Sequence, residues 1–544
     1  MKKYLLAFFA FAATLSLASC NDFLDDDPLD RVDSNDAFAN EKELYLNAVA
    51  ALYTHVGGNA SSEGLQGTDR GVYDLNTFTT DEAIIPTRGT DWYDGGFWVA
   101  LFTHQWATGN GGTGDAWNYL YKAIINCNKS LENIDAFASG HPTVDVTPYR
   151  TEVRALRALF LFYAMDLYGR IPIFDAAVPT SQQMKLKSRS EAFNFIRNEL
   201  LDVTPKLSAE RSNWPGEYYG RITRGVTLFV LAKLAINAEV YCCDNWTTQA
   251  FPSGKNILWN IDGKTLNTWE AAVFFCDAIA DLGYTLEPSY ATNFIVNNEI
   301  SQENIFTIPM DRERYTNVFV NVYRSRHYNH AAALGLNGEN GSCATREALI
   351  ANGYGTPDQD PRFDLNYYHG TVYDNNGHIV LLDDGTPLVY SPWDVDLDLS
   401  GTPHEKTAGA RMKKYAIDPN ANKDGQQSNN DIVLFRYADV MLMKAEALLR
   451  NNAHDPQALA IVNTVRERVG AAPRATLTLH DILDERMIEL AWEGWRRNDM
   501  IRFGTFNKPY SHHYGAAETD NHTIVFPLPG SHLGLTGDPQ NPGY

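Results

Sequence analysis

The sequence predicts a mainly α-helical protein whose helices come in pairs, with large irregular insertions of loop and short strand riding on them. Three observations carry that prediction. Apolar stripes recur three and four residues apart in two long stretches of the chain, which is the period of a helix with one buried face. Starts near residues 113, 147, 188 and 223 lie 34, 41 and 35 residues apart, close to a helix-pair repeat of about 34. Between the two stretches, residues 284–432 are rich in Gly, Asn, Asp and Pro and carry few helical stripes. A block that long inside a helical chain points to functional loops more than to a linker.

The chain opens on Lys2 and Lys3, followed by an apolar stretch from Leu5 to Leu17. That stretch is too short to span a bilayer and fits the apolar region of a secretory signal. Leu17-Ala18-Ser19-Cys20 resembles the bacterial lipobox, in which the cysteine becomes the lipidated first residue of the mature chain. Residues 1–19 are thus the expected leader and Cys20 the expected lipidation site. Asp22, Asp25, Asp26, Asp27 and Asp30 make residues 20–35 a short acidic tether. No later run of 18 apolar residues exists, so lipid is the expected membrane hold, and stable attachment needs more than one acyl chain.

Residues 36–544 read as a single body, in which 36–283 hold the first helical pairs. The first helix, over 113–137, places Trp117, Tyr121, Ile124, Asn128 and Leu131 on one stripe. Thr147-Pro148 reads as N-cap and first helical position, ahead of Val153, Leu156, Phe160, Tyr163 and Leu167. Gly169 and Pro172 end that helix. Ser190 is the expected cap of a third, running through Phe193, Ile196, Leu200 and Val203. Thr223 opens a fourth, and Thr268 a fifth that stops at Gly283. Within the irregular block, "NIFTIPM" (304–310) and "HIVLLDDGTPLVY" (378–390) read as strands or hairpins. Helices return over 433–504. Leu434, Tyr437, Met441, Ala445 and Leu448 form one stripe, and Asp455-Pro456 starts the next helix toward Gly470. Thr478 and Asp481 outline a capping box for the one after. Residues 505–544 form a tail. A helical solenoid of this kind presents surfaces.

Composition narrows the function. The formal charge is −22, and −24 once Lys2 and Lys3 leave with the leader. Such a chain is a poor nucleic-acid binder, because phosphate binding needs a basic patch. Beyond Cys20 the cysteines are Cys127, Cys242, Cys243, Cys276 and Cys343. The count is odd and no CxxC spacing occurs, so neither a disulfide framework nor a zinc site is expected. They read as small buried hydrophobes. HExxH, GxSxG and GxxxxGK[ST] are absent. Asp81-Glu82 and Asp383-Asp384 have the residue types of a glycosidase pair, but adjacent acids arise by chance among 67.

Long motifs then point to one family. "LFRYADVMLMKAEALLRNN" (434–452), "ALAIVNTVRERVG" (458–470) and "ERMIELAWEGWRRNDMIRFG" (485–504) follow one another. The closing "FPLP" and "QNPGY", and upstream "CNDFLDDDP", "TDEAIIPTRGTDWYDGGFW" and "LRALFLFYAMDLYGRIP", keep the same order. Together they resemble the SusD/RagB family of Bacteroidetes surface lipoproteins over essentially the whole mature chain. The resemblance implies four degenerate tetratricopeptide-like helix pairs in a curved scaffold, with ligand loops inserted. It implies a lid on a SusC-like, TonB-dependent outer-membrane barrel, the repeat face packing on the barrel, and capture of a glycan without cutting it. It also implies lipid anchoring in the outer membrane, and the acids after Cys20 resemble a signal for display on the outer cell face. The alternatives are a peptide-binding RagB-like lipoprotein, a surface glycosidase, and a purely structural transporter subunit.

Site candidates follow. "RGTDWYDGGFW" (88–98), inside the ligand loop 80–112, crowds Trp92, Tyr93, Phe97 and Trp98 among Gly and Asp without a 3.6 period. Aromatic planes suit the apolar face of a sugar ring, and Asp91 and Arg88 suit its hydroxyls. In starch-binding members of the family the aromatic platform follows the same Thr80-Asp81-Glu82 stretch. A second candidate is "PMDRERYTN" (309–317), with Asp311, Arg314 and Tyr315, joined by Asn337 and Asn340. The charge cluster of "EGWRRNDMIRFG" is expected to be structural, with Glu489 or Glu493 pairing Arg496 and Asp499 pairing Arg502. "NANKDGQQSNND" (420–431) has the outline of a calcium loop at Asn420, Asn422, Asp424 and Asp431, but the closing Glu is missing and few ligands are charged. It reads better as a solvated turn, and His512-His513 likewise as plain loop. No metal and no cofactor are expected.

Overall fold

A computed structural model describes residues 37–58, 61–109, 111–314, 317, 319–422, 427–510 and 520–544. The leader, Cys20, the whole acidic tether, Tyr315, Asp424 and His512-His513 lie outside the described residues. The described part is mainly helical. Its longer helices are α1 (Gly111–Gly140), α2 (Thr147–Tyr168), α3 (Arg189–Val203), α4 (Arg224–Ile236) and α5 (Thr268–Asp281). After the irregular block come α6 (Tyr437–Asn451), α7 (Pro456–Glu467), α8 (Leu479–Glu489) and α9 (Arg496–Phe503). Each of α1 to α5 packs on the next, α5 bridges the block to α6, and α7 and α8 both pack on α6. Among the described residues no helix is long and apolar enough to cross a membrane.

Local chemistry sets the ends. Gly169, with φ +71, stops α2, and Thr478 with Asp481 closes a capping box on α8. Two caps differ from expectation. Ser188, not Ser190, caps α3, in a box with Glu191; the Ser190 amide and hydroxyl instead bind the Asp244 carboxylate. Thr147, expected as the N-cap of α2, is its first helical residue, with Val146 in the cap position; α5 begins at Thr268 as expected, capped by Asn267. Helix α4 is buried at every position from Gly225 to Ile236, which makes it the central helix. Leu434 lies in a strand, Ile432–Arg436, paired antiparallel with Asn304–Ile308, and both strands are wholly buried. A buried strand is apolar on both faces and imitates the end of a helical stripe.

The corner where α8 meets α9 is ionic and dry. Asp499 pairs Arg502 at 2.7 Å, as the sequence predicts. Arg496, however, pairs Asp81 at 2.6 Å. Glu489 and Glu493 face Arg436 at 2.6 and 2.7 Å, a partner brought in by the strand. Arg436 also meets Glu303 at 2.7 Å, Arg362 meets Glu489 at 2.7 Å, and Lys414 meets Glu493 at 2.5 Å. Arg468 closes the set on Glu489 and Glu303. All of these side chains are buried or nearly so. Every charge here has an opposite partner, so the corner holds its geometry firmly.

Candidate functional site

The candidate loop grows out of that corner. Asp81 is held by Arg496 and the Glu82 carboxylate accepts the Trp492 amide at 2.5 Å. Burial raises Glu82 to about 7. Ala83–Ile84 then pair with Cys343–Ala344, and the chain enters the segment 85–98. Arg88 is buried, 2% exposed. It donates to the carbonyls of Gly341, Glu405 and Ala408 at 3.3, 3.0 and 3.0 Å. Burial without a carboxylate pushes this guanidinium down to about 9, with Arg411 adding to the effect. The expectation that Arg88 contacts ligand is therefore corrected: its donors are used to tie the loop to the 340s and 400s.

The tip of the loop is strained. Trp92 has φ +61 and Asp94 φ +41, a region that costs a side chain roughly 1–3 kcal/mol and persists only where the surroundings fix it. Here they do. The Trp92 indole donates to the Glu339 carbonyl at 2.7 Å, and Asp94 accepts from Arg70 and from the Trp98 indole at 2.7 and 2.8 Å. Trp98 is 1% exposed, wedged edge-on against Phe78, Trp92 and Phe97. It is core and not platform, which corrects the second expectation. Trp92 is half-buried. Tyr93 stands out at 60% exposure.

Asp91 links this loop to a second element. Its carboxylate accepts the Tyr328 hydroxyl at 2.8 Å; burial and that acid push Tyr328 up to about 12. Tyr328 opens the short helix Tyr328–Ala333, capped by His327, whose Nδ1 accepts the Asn329 amide. A cleft of about 500 Å³ lies beside this helix, lined by Tyr328, Asn329, Ala332, Asp374, Ile379 and Leu381. The Asn329 amide donates to the Leu381 carbonyl and to Asp383 at 2.8 and 3.1 Å. The opposite wall is the meander 370–390, in which Gly370–Thr371 pair with Val389–Tyr390 and a turn closes over 382–386. Tyr328, Ile379 and Leu381 are each nearly half exposed. The arrangement offers apolar faces for a flat, partly apolar ligand, with acid, amide and phenol groups alongside for its polar edge.

The second candidate segment lies elsewhere. Asp311 accepts the Glu313 and Arg314 amides, and Arg314 is exposed. The neighbouring Met310 and Arg312 amides bond to Asp431 and Asn429, which stitches 309–314 to the 418–431 segment. Asn337 is half-buried, its side chain accepting its neighbour's amide. In the outlined calcium loop, the Asp431 carboxylate is taken by Tyr219, Thr307 and Met310, and Asn422 donates to the Arg312 carbonyl. Sequence reasoning missed Tyr328, Asn329 and the exposed face of the meander. The signal was there: Ile379 and Leu381 alternate with buried Val380, leaving an apolar strand face on the outside.

Comparison with known proteins supplies the lineage. Residues 283–526 match the model of the SusD family. The starch-binding protein SusD of Bacteroides thetaiotaomicron is 24% identical, covering 93% of this chain and 91% of that one. Surface glycan-binding protein A from Bacteroides uniformis superposes with a TM-score of 0.68 at 18% identity, over 92% of this chain and 99% of that one. The same protein from Bacteroides thetaiotaomicron in complex with laminarihexaose gives 0.68 at 18% identity, over 92% and 99%. The fold over most of the chain is that of these structures, and the C-terminal half, residues 283–526, carries the sequence pattern of the SusD family.

Proposed function

We propose that the protein is a glycan-binding lipoprotein of the cell surface. In this reading Cys20 carries the lipid, and the chain hands its ligand to a SusC-like, TonB-dependent outer-membrane barrel. The observation that carries the reading is the Asp91–Tyr328 bond beside an open cleft, with Tyr93 exposed two residues along the loop from Asp91. The tyrosines supply planes for the C–H face of a sugar, and Asp91, Asn329 and Asp383 supply partners for hydroxyls. Relatives named for binding starch and laminarihexaose support the same ligand class. Binding without cutting is supported by the acids. Asp81 and Glu82 are spent on Arg496 and a backbone amide. Asp383 faces Asn329 and Asp384 caps its own turn.

Affinity electrophoresis tests this. Soluble residues 21–544 are run through gels carrying starch, laminarin and other polysaccharides. Wild type is expected to be retarded by at least one polymer. Tyr93→Ala should lose about tenfold in affinity, roughly 1.4 kcal/mol, with an unchanged melting temperature. Retardation by none would remove the glycan reading and favour a peptide ligand. Product release during the run would return the enzyme reading.

A further inference from the structure

The meander has a second side. A cleft of about 450 Å³ lies there, lined by Tyr368, His369, Thr371, Tyr373 and Lys413 among others. It shares its walls with the first cleft. The helix Tyr328–Ala333 gives Tyr328 and Asn329 to one and His330 to the other. The strand gives Asp374 to one and its neighbour Tyr373 to the other. Tyr373 is 54% exposed, so a broad ring marks the boundary.

The second cleft has its own fixed polar groups. The His369 ring meets the Asp364 carboxylate at 2.8 Å, and Lys413 donates to the Asp364 carbonyl at 2.8 Å. Beyond it the rings continue. Tyr354 lies 5.4 Å from His369, and Trp393 lies 6.0 Å from Tyr354. Trp393 is 43% exposed; its backbone carbonyl, not its ring, is held by Arg346. A half-exposed tryptophan on a loop contributes little to the core. A run of partly exposed rings beside the polar groups of His369, Asp364 and Lys413 suits successive units of a chain of sugars, each with one apolar face.

We propose that this second cleft and the track His369, Tyr354, Trp393 form a further sugar-stacking subsite. The ligand is then an oligosaccharide or polysaccharide long enough to occupy both clefts. This rests on the glycan reading above. The test takes whichever polysaccharide retards wild type in the starch and laminarin panel. It compares wild type, Trp393→Ala and Tyr373→Ala/Trp393→Ala on the polymer, and on two- and three-sugar fragments made from it by partial hydrolysis. The expected result is a five- to tenfold loss on the polymer and no change on the fragments, with matched melting temperatures. Unchanged polymer binding in both variants, with Tyr93→Ala still defective, overturns the second subsite and leaves the glycan reading standing. Equal losses on fragments and polymer also overturn it, because they place these rings at the primary site. No retardation of wild type by any polymer overturns both readings.

Discussion

The corner of α8 and α9 and the loop-built candidate face are both rich in buried polar groups, yet they are held together differently. At the corner each cation faces carboxylates: Arg436 meets Glu303, Glu489 and Glu493, and Arg362 meets Glu485 and Glu489. Those cations pull Glu489 well below the usual carboxylate range, against the opposing effect of burial. At the face the central cation, Arg88, meets only carbonyls and a thiol. The nearby His327 and His330 are pushed by burial down to about 4 and about 3 and are neutral. The difference teaches where specificity can drift. A network of opposite charges fails when one member changes, whereas neutral contacts to carbonyls tolerate new loop sequences around them.

The largest effect should come from the corner. Arg436→Met strands three buried carboxylates and should cost about 3–5 kcal/mol in denaturant unfolding. The fraction that folds should keep its glycan affinity. A stable variant would show that the corner is not ionically locked. Arg88→Met should cost less, about 2–3 kcal/mol, since it leaves buried carbonyls unpaired. Unlike the first variant it should weaken glycan binding severalfold, by freeing the loop that carries Asp91 and Tyr93. Equal binding by the two variants would erase the contrast between the regions.

Acid should separate them further. Between about pH 6.5 and 4 the unfolded chain binds protons at His327 and His330 that the folded chain refuses, so their contribution to stability falls as pH drops through that window. Glu82 and Asp431, both raised to about 7, act in the opposite direction over roughly the same range. The comparison is therefore wild type against His330→Gln. The melting temperature of wild type should fall more steeply from pH 7 to 5 than that of the variant. Parallel slopes would show that His330 titrates normally. The smallest effect is Tyr328→Phe, which removes the bond to Asp91 and should cost about 1 kcal/mol or less, with about a threefold loss of glycan affinity.

Much of the frame was legible in the sequence because helical periodicity is local. Helices α1, α2, α7 and α8 lie where their stripes put them. Errors arose where a distant group competed. Asp244 draws Ser190 from its cap, and the strand partner at 304–308 claims Leu434. The ion pairs of Glu489 and Glu493 were illegible because Glu303, Arg362 and Arg436 come from far away in sequence. At the site, the loop 88–98 was visible as aromatics among glycines, but composition does not separate a ring that faces out, Tyr93, from one that faces in, Trp98. Only the packing of Phe78 and Phe97 decides that.

The hold of Glu82 on the Trp492 amide joins residues 410 positions apart. For a chain made from its N-terminus, the loop is synthesised long before the residue that anchors it. Contacts of such separation form late, after the loop-closure entropy of the intervening chain has been overcome. Under the proposed function, capture of ligand is thus a property of the finished polypeptide, and a nascent or C-terminally clipped chain would carry the loop without the residue that anchors it. The anchor acts as a completeness check: a chain that stops short of Trp492 lacks the amide that fixes Glu82 at the base of the loop.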